Sequence, residues 1–377
     1  MRILRVSNAS EHTSAPLNSF TLARNRFYDD EEITFLSFFK NKEEAIDLYF
    51  KKYKNVDFSN RERLNFLEAN GNVVNFWKLV SKWVSETKNS NEQPIIHMHQ
   101  PRSGFIAALA ARIKNRKIPI IYTVHNNFKN YAFKYKIALF LNFILVDKIT
   151  FVSFDAYNSF SSFRFFFNKK SVAVQNGVDV ERIESSIKNF HPSKTEDNDE
   201  INFISTGRFT TQKNQFFLID LFENYKGNWH LDIYGNGQFG DSLLKKIKEK
   251  GLTDKISLKN TVPRDEILEA YSKADVYLST ARWEGLPVAV MEAMTVGIPC
   301  IVSNIPSHKE LGEDLPGVSV TNFEIDMWHE KLDYWKSLGT EKRKAMGLHN
   351  KTVINDNFTL KLMQQNYRDI YESLISK

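Results

Sequence analysis

An α/β fold of two doubly wound parallel sheets is predicted by three observations: a length of 377 residues, a repeated alternation of short apolar runs with helix-length segments, and a polar break near mid-chain. A chain this long exceeds the size at which one hydrophobic core keeps growing, so two domains of roughly 150–200 residues are expected. Strands that alternate with helix-length connections form βαβ units, which impose a parallel sheet covered by helices on both faces. The break, "HPSKTEDNDE" at 191–200, reads as a linker.

In chain order, the first series of β-rich runs is "RILRV" (2–6), "EITFLSFF" (32–39), "PIIHMH" (94–99), "PIIYTVH" (119–125), "KITFVS" (148–153) and "SVAVQN" (171–176). Helical periodicity places helices between them at 60–88, 103–115 and 131–145. The second series is "INFIST" (201–206), "WHLDIYG" (229–235), "ISLKN" (256–260), "DVYLST" (275–280), "PCIVS" (299–303) and "GVSVT" (317–321). The tail at 357–375 has the pattern of one amphipathic helix with no strand after it. These readings give a first domain over 1–190, joined by the terminal helix at about 357–377, and a second over 200–356.

Composition narrows the function classes. With 42 % apolar and 25 % charged residues the chain is ordinary for a globular protein. No segment approaches the ~18 uninterrupted apolar residues of a membrane span, and "IALFLNFILV" at 137–146 is too short. The start, "MRILRVSNASEH", lacks the apolar core of a secretory signal, so a cytoplasmic protein is expected. One cysteine, Cys300, makes no internal disulfide and sits in the apolar run "IPCIV", as a buried inert thiol would. The net charge of +6 comes without a Lys/Arg block of nucleic-acid type; it suits phosphorylated substrates and anionic membrane surfaces equally.

The chemistry concentrates in "STARWEGLPVAVMEAMTVGIPCIVS". Proline is favoured in a helix's first turn and glycine just past its end, so a helix is expected from near Pro287 to Gly297. Glu284 then sits in the loop at the carboxyl end of a parallel strand, where open α/β sheets bind ligands, and Glu292 sits on the helix. Between them lie the unpaired amides of Gly285, Leu286 and Val288, a seat for phosphate. Two acceptor-only carboxylates flanking that seat suit two sets of hydroxyls, whereas a lone glutamate there is most simply a helix-start or solvated residue. In "STGRFTTQKNQ" (205–215), Gly207 ends a strand, Arg208 follows, and Lys213 lies near the next helix start. Such a fork and point charge neutralise a diphosphate leaving group, although an isolated Arg and Lys are more often surface charges. In "YGNGQ" (234–238), Gly235 either turns strand into helix or permits a close approach.

Taken together, "GRFTTQK", "IYGNGQ", "EGLPVAVME" and "QNGVD" (175–179), with "TVH" at 123–125, resemble the retaining glycosyltransferases of the GT-B fold, glycosyltransferase family 4. The resemblance implies two Rossmann-like domains, the terminal helix crossing back to the first. It implies that the second domain binds a nucleotide-sugar donor, a UDP- or GDP-sugar, and the first an acceptor. Arg208 and Lys213 would hold the diphosphate, Glu284 the sugar hydroxyls, Glu292 the ribose, and the amides after Glu284 the phosphate. His125 matches the family's histidine near the donor sugar, and His97 and His99 its "H-x-H" element; each is otherwise equally a structural histidine. The family transfers with retention and without a bound metal, so no cofactor is expected. One departure is the loop after the first strand: "SEHTSAPLN" (10–18) has no glycine pair, and Ser14 and Pro16 read only as a helix cap and first turn.

The segment 128–170 interleaves Phe and Tyr with Lys129, Lys134, Lys136, Lys148, Arg164, Lys169 and Lys170, against only Asp147 and Asp155. This pattern reads either as a membrane-facing surface for a lipid-linked or cell-envelope glycan acceptor or as buried aromatics under a solvated basic face. A bacterial surface polysaccharide pathway fits the first. The alternatives are a non-catalytic scaffold or accessory subunit of the same fold, which should lack the charged donor contacts, and a nucleotide-sugar epimerase, which should lack "EGLPVAVME" with the basic pair. A phosphorylase would need a cofactor-binding lysine that the sequence does not identify.

Overall fold

Seven strands, β1 (Arg2–Ser7), β2 (Glu32–Ser37), β3 (Leu64–Glu68), β4 (Pro94–Met98), β5 (Ile120–Val124), β6 (Lys148–Phe151) and β7 (Ser171–Ala173), pair in parallel in the spatial order β3-β2-β1-β4-β5-β6-β7. They belong to a computed structural model that describes residues 1–8, 18–39, 61–88, 93–188 and 200–376. Residues 191–199 of the predicted linker at 191–200, and 10–17 of the glycine-free loop at 10–18, Ser14 and Pro16 among them, lie outside the described residues. The chain divides into two units, Met1–Gln175 with Leu360–Lys377, and Asn176–Thr359.

In the first unit, strand alternation assigns side chains to two apolar layers. Leu4, Val6, Ile96, Met98 and Tyr122 face α2 (Val73–Thr87), α3 (Pro101–Lys114) and α4 (Phe133–Leu145). Ile3, Ile33, Phe35, Ile95 and Ile121 face the other way, with Phe20 and α1 (Ala23–Phe27). The short helices α5 (Phe154–Ser159) and α6 (Ser161–Phe167) follow β6. Burial on both faces explains why the strand sequences are nearly continuous apolar runs.

The single helix predicted over 60–88 is corrected to β3 followed by α2. "LNFLE" pairs along β2, and Asn70 (φ 52°) and Gly71 (φ 75°) adopt left-handed conformations that no helix accommodates. Asn72 then caps α2 by accepting from the Asn75 amide at 3.0 Å.

The second unit pairs β8 (Ile201–Thr206), β9 (Trp229–Tyr234), β10 (Ile256–Lys259), β11 (Val276–Ser279), β12 (Cys300–Ser303) and β13 (Val318–Thr321) in parallel, ordered β10-β9-β8-β11-β12-β13. One face packs on α8 (Gln215–Glu223), α9 (Gly240–Glu249) and α13 (Ile325–Ser337). The other packs on α7 (Val180–Ile187), α10 (Arg264–Lys273), α11 (Val288–Val296), α12 (Pro306–Gly312) and α14 (Thr340–Asn357). Because Ile183 of α7 shares a core with Tyr271 and Met291, and Arg182 pairs with Asp265 at 3.0 Å, this helix goes with the second unit. The first unit therefore ends at Gln175, not at 190 as predicted.

The terminal helix α15 (Leu360–Ile375) buries Leu360, Met363, Tyr367 and Tyr371 in the first unit's core beside Phe20, Phe35 and Ile95. A buried ion pair anchors it: the Arg24 guanidinium forks onto the Glu31 carboxylate and donates to the Gln364 carbonyl (3.0 Å) and Gln364 Oε1 (3.1 Å). Both charged side chains are fully buried. Glu31→Gln is expected to cost about 3–5 kcal/mol because it strands a buried guanidinium; a drop in the denaturant midpoint checks this.

Candidate functional site

In the second unit the strand order reverses between β8 and β11, and ligands of open α/β sheets bind outside the carboxyl ends at such a point. The loops leaving these two strands are tied together. The Arg282 amide donates to the Gln212 carbonyl (2.8 Å), and the Thr280 hydroxyl donates to the carbonyls of Lys213 and Asn214 (3.2 Å each). Gln212 Nε2 donates to the Trp283 carbonyl (3.0 Å) and to Glu284 Oε2 (3.1 Å). Lys213 Nζ lies 2.5 Å from Glu284 Oε1, and the Glu284 carboxylate is buried.

Backbone geometry makes room for this pair. Gly207 has φ 152°, and the aliphatic stem of Lys213 passes over it at 3.1–3.3 Å from where a Cβ would stand. A Cβ on Gly235 would lie 2.0 Å from the Gly207 carbonyl oxygen, so the β9 loop backs directly onto the β8 loop. The Phe209 amide closes that contact by donating to the Asn236 carbonyl at 2.7 Å.

The helix α11 begins at Val288 and ends at Gly297 in a left-handed cap (φ 90°). Among the described residues, the amides of Gly285, Leu286 and Val288 donate to no acceptor in the chain, so the positive end of the helix is open beside Glu284. Eight residues on, Glu292 is buried and ion-paired to Arg264, the first residue of α10. The two glutamates thus face different cations. Arg208 leaves the same loop as Lys213 with an exposed side chain and, among the described residues, no ion pair; its carbonyl accepts from Gln215 Nε2 at 3.0 Å. The structure therefore gathers Gly207, Lys213, Gly235, Glu284, Gly285 and Leu286 at one sheet edge, with Arg208 on the rim.

Three residues that contact the predicted glutamates or the loops beside them were not singled out from the sequence. Gln212 stood one position before Lys213 in the quoted motif, and Arg264 carried no signal. His308 donates from Nδ1 to the Ser303 carbonyl (2.8 Å), has Nε2 3.3 Å from Ser279 Oγ, and feels the Glu284 charge. Burial lowers its pKa to about 4, so the ring is neutral at pH 7.

His125 lies in the first unit, just past β5, and burial likewise lowers its pKa to about 4. Its Nε2 is 3.2 Å from His99 Nδ1, and His99 stacks on His97 with ring centroids 4.3 Å apart. His97 Nδ1 accepts from Arg5 and from the Tyr371 hydroxyl (2.6 Å), so its proton resides on Nε2, which donates to Thr123 (2.6 Å). His97 is held well below its ordinary pKa by burial and then by the Arg5 charge; His99 is held there by burial and then by His125. The fully buried Arg5 packs its cation against Phe20 and Tyr371.

A groove of about 1090 Å³ in the second unit contains none of the predicted residues. It runs along α10 and α14 against β8, β9 and β10, where Lys259 pairs with Asp232 at 2.8 Å.

Comparison with known proteins follows the same two-part division. The family description "Glycosyl transferases group 1" matches residues 186–352, and "Glycosyltransferase Family 4" matches 40–182. An amylovoran biosynthesis glycosyltransferase of Erwinia amylovora is 32 % identical over 136 residues, covering 36 % of this chain and 38 % of the relative. The UDP-Gal:alpha-D-GlcNAc-diphosphoundecaprenol alpha-1,3-galactosyltransferase of Escherichia coli is 25 % identical over 252 residues, covering 62 % and 61 %. The chain thus spans less than two thirds of either relative in these matches. The Anabaena protein HepE, solved with UDP-glucose, superposes with a TM-score of 0.78 over 99 % of this chain and 100 % of that one, at 16 % identity, a likeness of fold.

Gly235→Ala is expected to destabilise the second unit by about 1–3 kcal/mol, the usual cost of overpacking, because the clash is with backbone. Chemical denaturation of the variant measures it.

Proposed function

We propose that this chain, which belongs to glycosyltransferase family 4 and has the GT-B fold, moves a sugar from a nucleotide-sugar donor, a UDP- or GDP-sugar, to a glycan or lipid-linked acceptor in bacterial surface-polysaccharide synthesis. The observation that carries the reading is the Lys213–Glu284 pair beside the open amides of Gly285, Leu286 and Val288 at the reversal of strand order. A donor exchanges one internal contact for two external ones. Its diphosphate takes the Lys213 ammonium, the Arg208 fork and the helix amides, and the sugar hydroxyls donate to the released Glu284 carboxylate. Glu292 takes the ribose hydroxyls by sharing its carboxylate with Arg264. His125, neutral at pH 7, is a hydrogen-bonding partner for the donor sugar.

Transfer proceeds with retention and without a metal. The cationic side chains and helix end stabilise the departing diphosphate, and the departing phosphate oxygen accepts the acceptor's proton. The E. coli relative, named for a diphosphoundecaprenol acceptor, supports a lipid-linked acceptor here. A protein acting on such a molecule works at the cytoplasmic face of the membrane, in peripheral contact with it through 128–170. Among the described residues, no helix is long and apolar enough to cross a membrane.

A thermal-shift series with nucleoside diphosphates tests the donor site. The cognate diphosphate, at about 100 times its dissociation constant, should stabilise the protein by about 2.7 kcal/mol. Arg208→Ala and Lys213→Ala should each shrink that gain and lower turnover about 10²–10³-fold without unfolding the chain; unchanged values reject these roles. Turnover should also survive a chelator, and strict dependence on added magnesium or manganese rejects the metal-free reading.

A further inference from the structure

The helix α4 has two apolar faces. Leu139, Asn142 and Phe143 form its inner face, and Asn142 Nδ2 locks the helix to α3 by donating to the Pro101 carbonyl at 2.7 Å. Its outward face carries a second stripe, Phe133, Ile137, Phe140 and Ile144, spaced four, three and four residues apart and therefore aligned on one side. All four are exposed, Phe133 by 78 %. The stripe does not end with the helix. Phe140 meets Phe167 with ring centroids 5.8 Å apart, and α6 there exposes Phe165 by 89 % and Phe166 by 71 %. The alternative of buried aromatics beneath a solvated basic face thus fails for these residues. The side chain of Arg164 lies outside the described residues.

Charge in this segment is mainly positive. Lys129, Lys134 and Lys169 are exposed and, among the described residues, make no ion pair. The two acids of the segment are engaged: Asp147 with Arg112 at 2.7 Å, and Asp155 with Asn127 Nδ2 at 2.8 Å. An apolar ridge about 20 Å long, rimmed by unpaired lysines, is too short to span a bilayer and has the chemistry of an interfacial helix.

We propose that the outer faces of α4 and α6 dock on an anionic phospholipid bilayer, the Phe and Ile side chains entering the headgroup boundary and the lysines meeting lipid phosphates. Charge complementarity selects this occupant: lipid phosphates answer an unpaired cationic rim, whereas a second copy of the face would set lysines against lysines. The proposal deepens the peripheral-contact reading above, on which it rests, by naming the surface. Its test needs neither donor nor acceptor.

The full chain is sedimented with vesicles of phosphatidylcholine and phosphatidylglycerol in equal parts, and with phosphatidylcholine alone. It should partition onto the mixed vesicles, weaken as salt rises, and bind neutral vesicles at least tenfold less well. Phe133→Ser with Ile137→Ser, and separately Phe165→Ser with Phe166→Ser, should each reduce binding at least tenfold. Lys134→Glu with Lys169→Glu, at solvent-exposed positions, should do the same and keeps the test valid if a serine variant misfolds. Absence of vesicle binding, equal binding to neutral vesicles, or variants that bind like the parent overturn the proposal. So does a dimer, seen by light scattering, that the serine variants dissolve while vesicle binding is absent. Vesicle binding without stabilisation by any nucleoside diphosphate upholds this surface and rejects the transfer reading; the reverse result rejects the surface alone.

Discussion

A buried carboxylate at the edge of a parallel sheet constrains the rest of the second unit. Both oxygens of Glu284 have partners: one faces the Lys213 ammonium and the other accepts from Gln212, both supplied by the loop of the neighbouring strand. Removing such a group from water without partners costs several kcal/mol, so the β8 and β11 loops must meet. The glycines follow from that requirement: Gly207 lets the lysine stem lie flat, and Gly235 lets a third loop close behind it. Glu292, on α11 itself, is buried and ion-paired with Arg264, so each glutamate has its own cation.

In the first unit the buried charges serve cohesion. Arg24, Glu31 and Gln364 join the terminal helix to the sheet, although that helix follows in sequence only after the whole second unit. Arg5 has no carboxylate of its own among the described residues; it lies among aromatic rings and against His97. Burial, joined at His97 and His99 by the Arg5 charge, keeps the adjoining histidines neutral, hydrogen-bonding groups at pH 7 instead of cations. Within the first unit's core, Arg5 and Arg24 are sealed, whereas at the second unit's sheet edge Arg208 is exposed and Lys213 stands against an acid.

Much of this was legible along the chain, because strand and helix periods and helix-ending residues are local signals. Pro287 and Gly297 bracketed α11 correctly to within a residue, and twelve strand candidates all correspond to observed strands. The thirteenth strand, β3, was absorbed into a helix because "LNFLE" is short and directly precedes a long helical pattern; only its partner β2 distinguishes it. The domain boundary was placed in the polar run after 190 because composition marks linkers, whereas α7 is assigned by the apolar contacts it makes with α10 and α11.

By itself, the sequence determined which residue types stand at the strand ends: the glutamates around a helix start, the Arg and Lys after Gly207, the histidines after β4 and β5. Those positions depend on chain-local spacing, which a sequence contains. Tertiary structure alone decided the partners: that Lys213 meets Glu284, that Arg264 meets Glu292, that His308 lies near both loops, and that the aromatics of α4 and α6 face outward. Partnership between residues tens of positions apart depends on strand order and on which helix face the core has already claimed, and neither quantity is written in any local window of the chain.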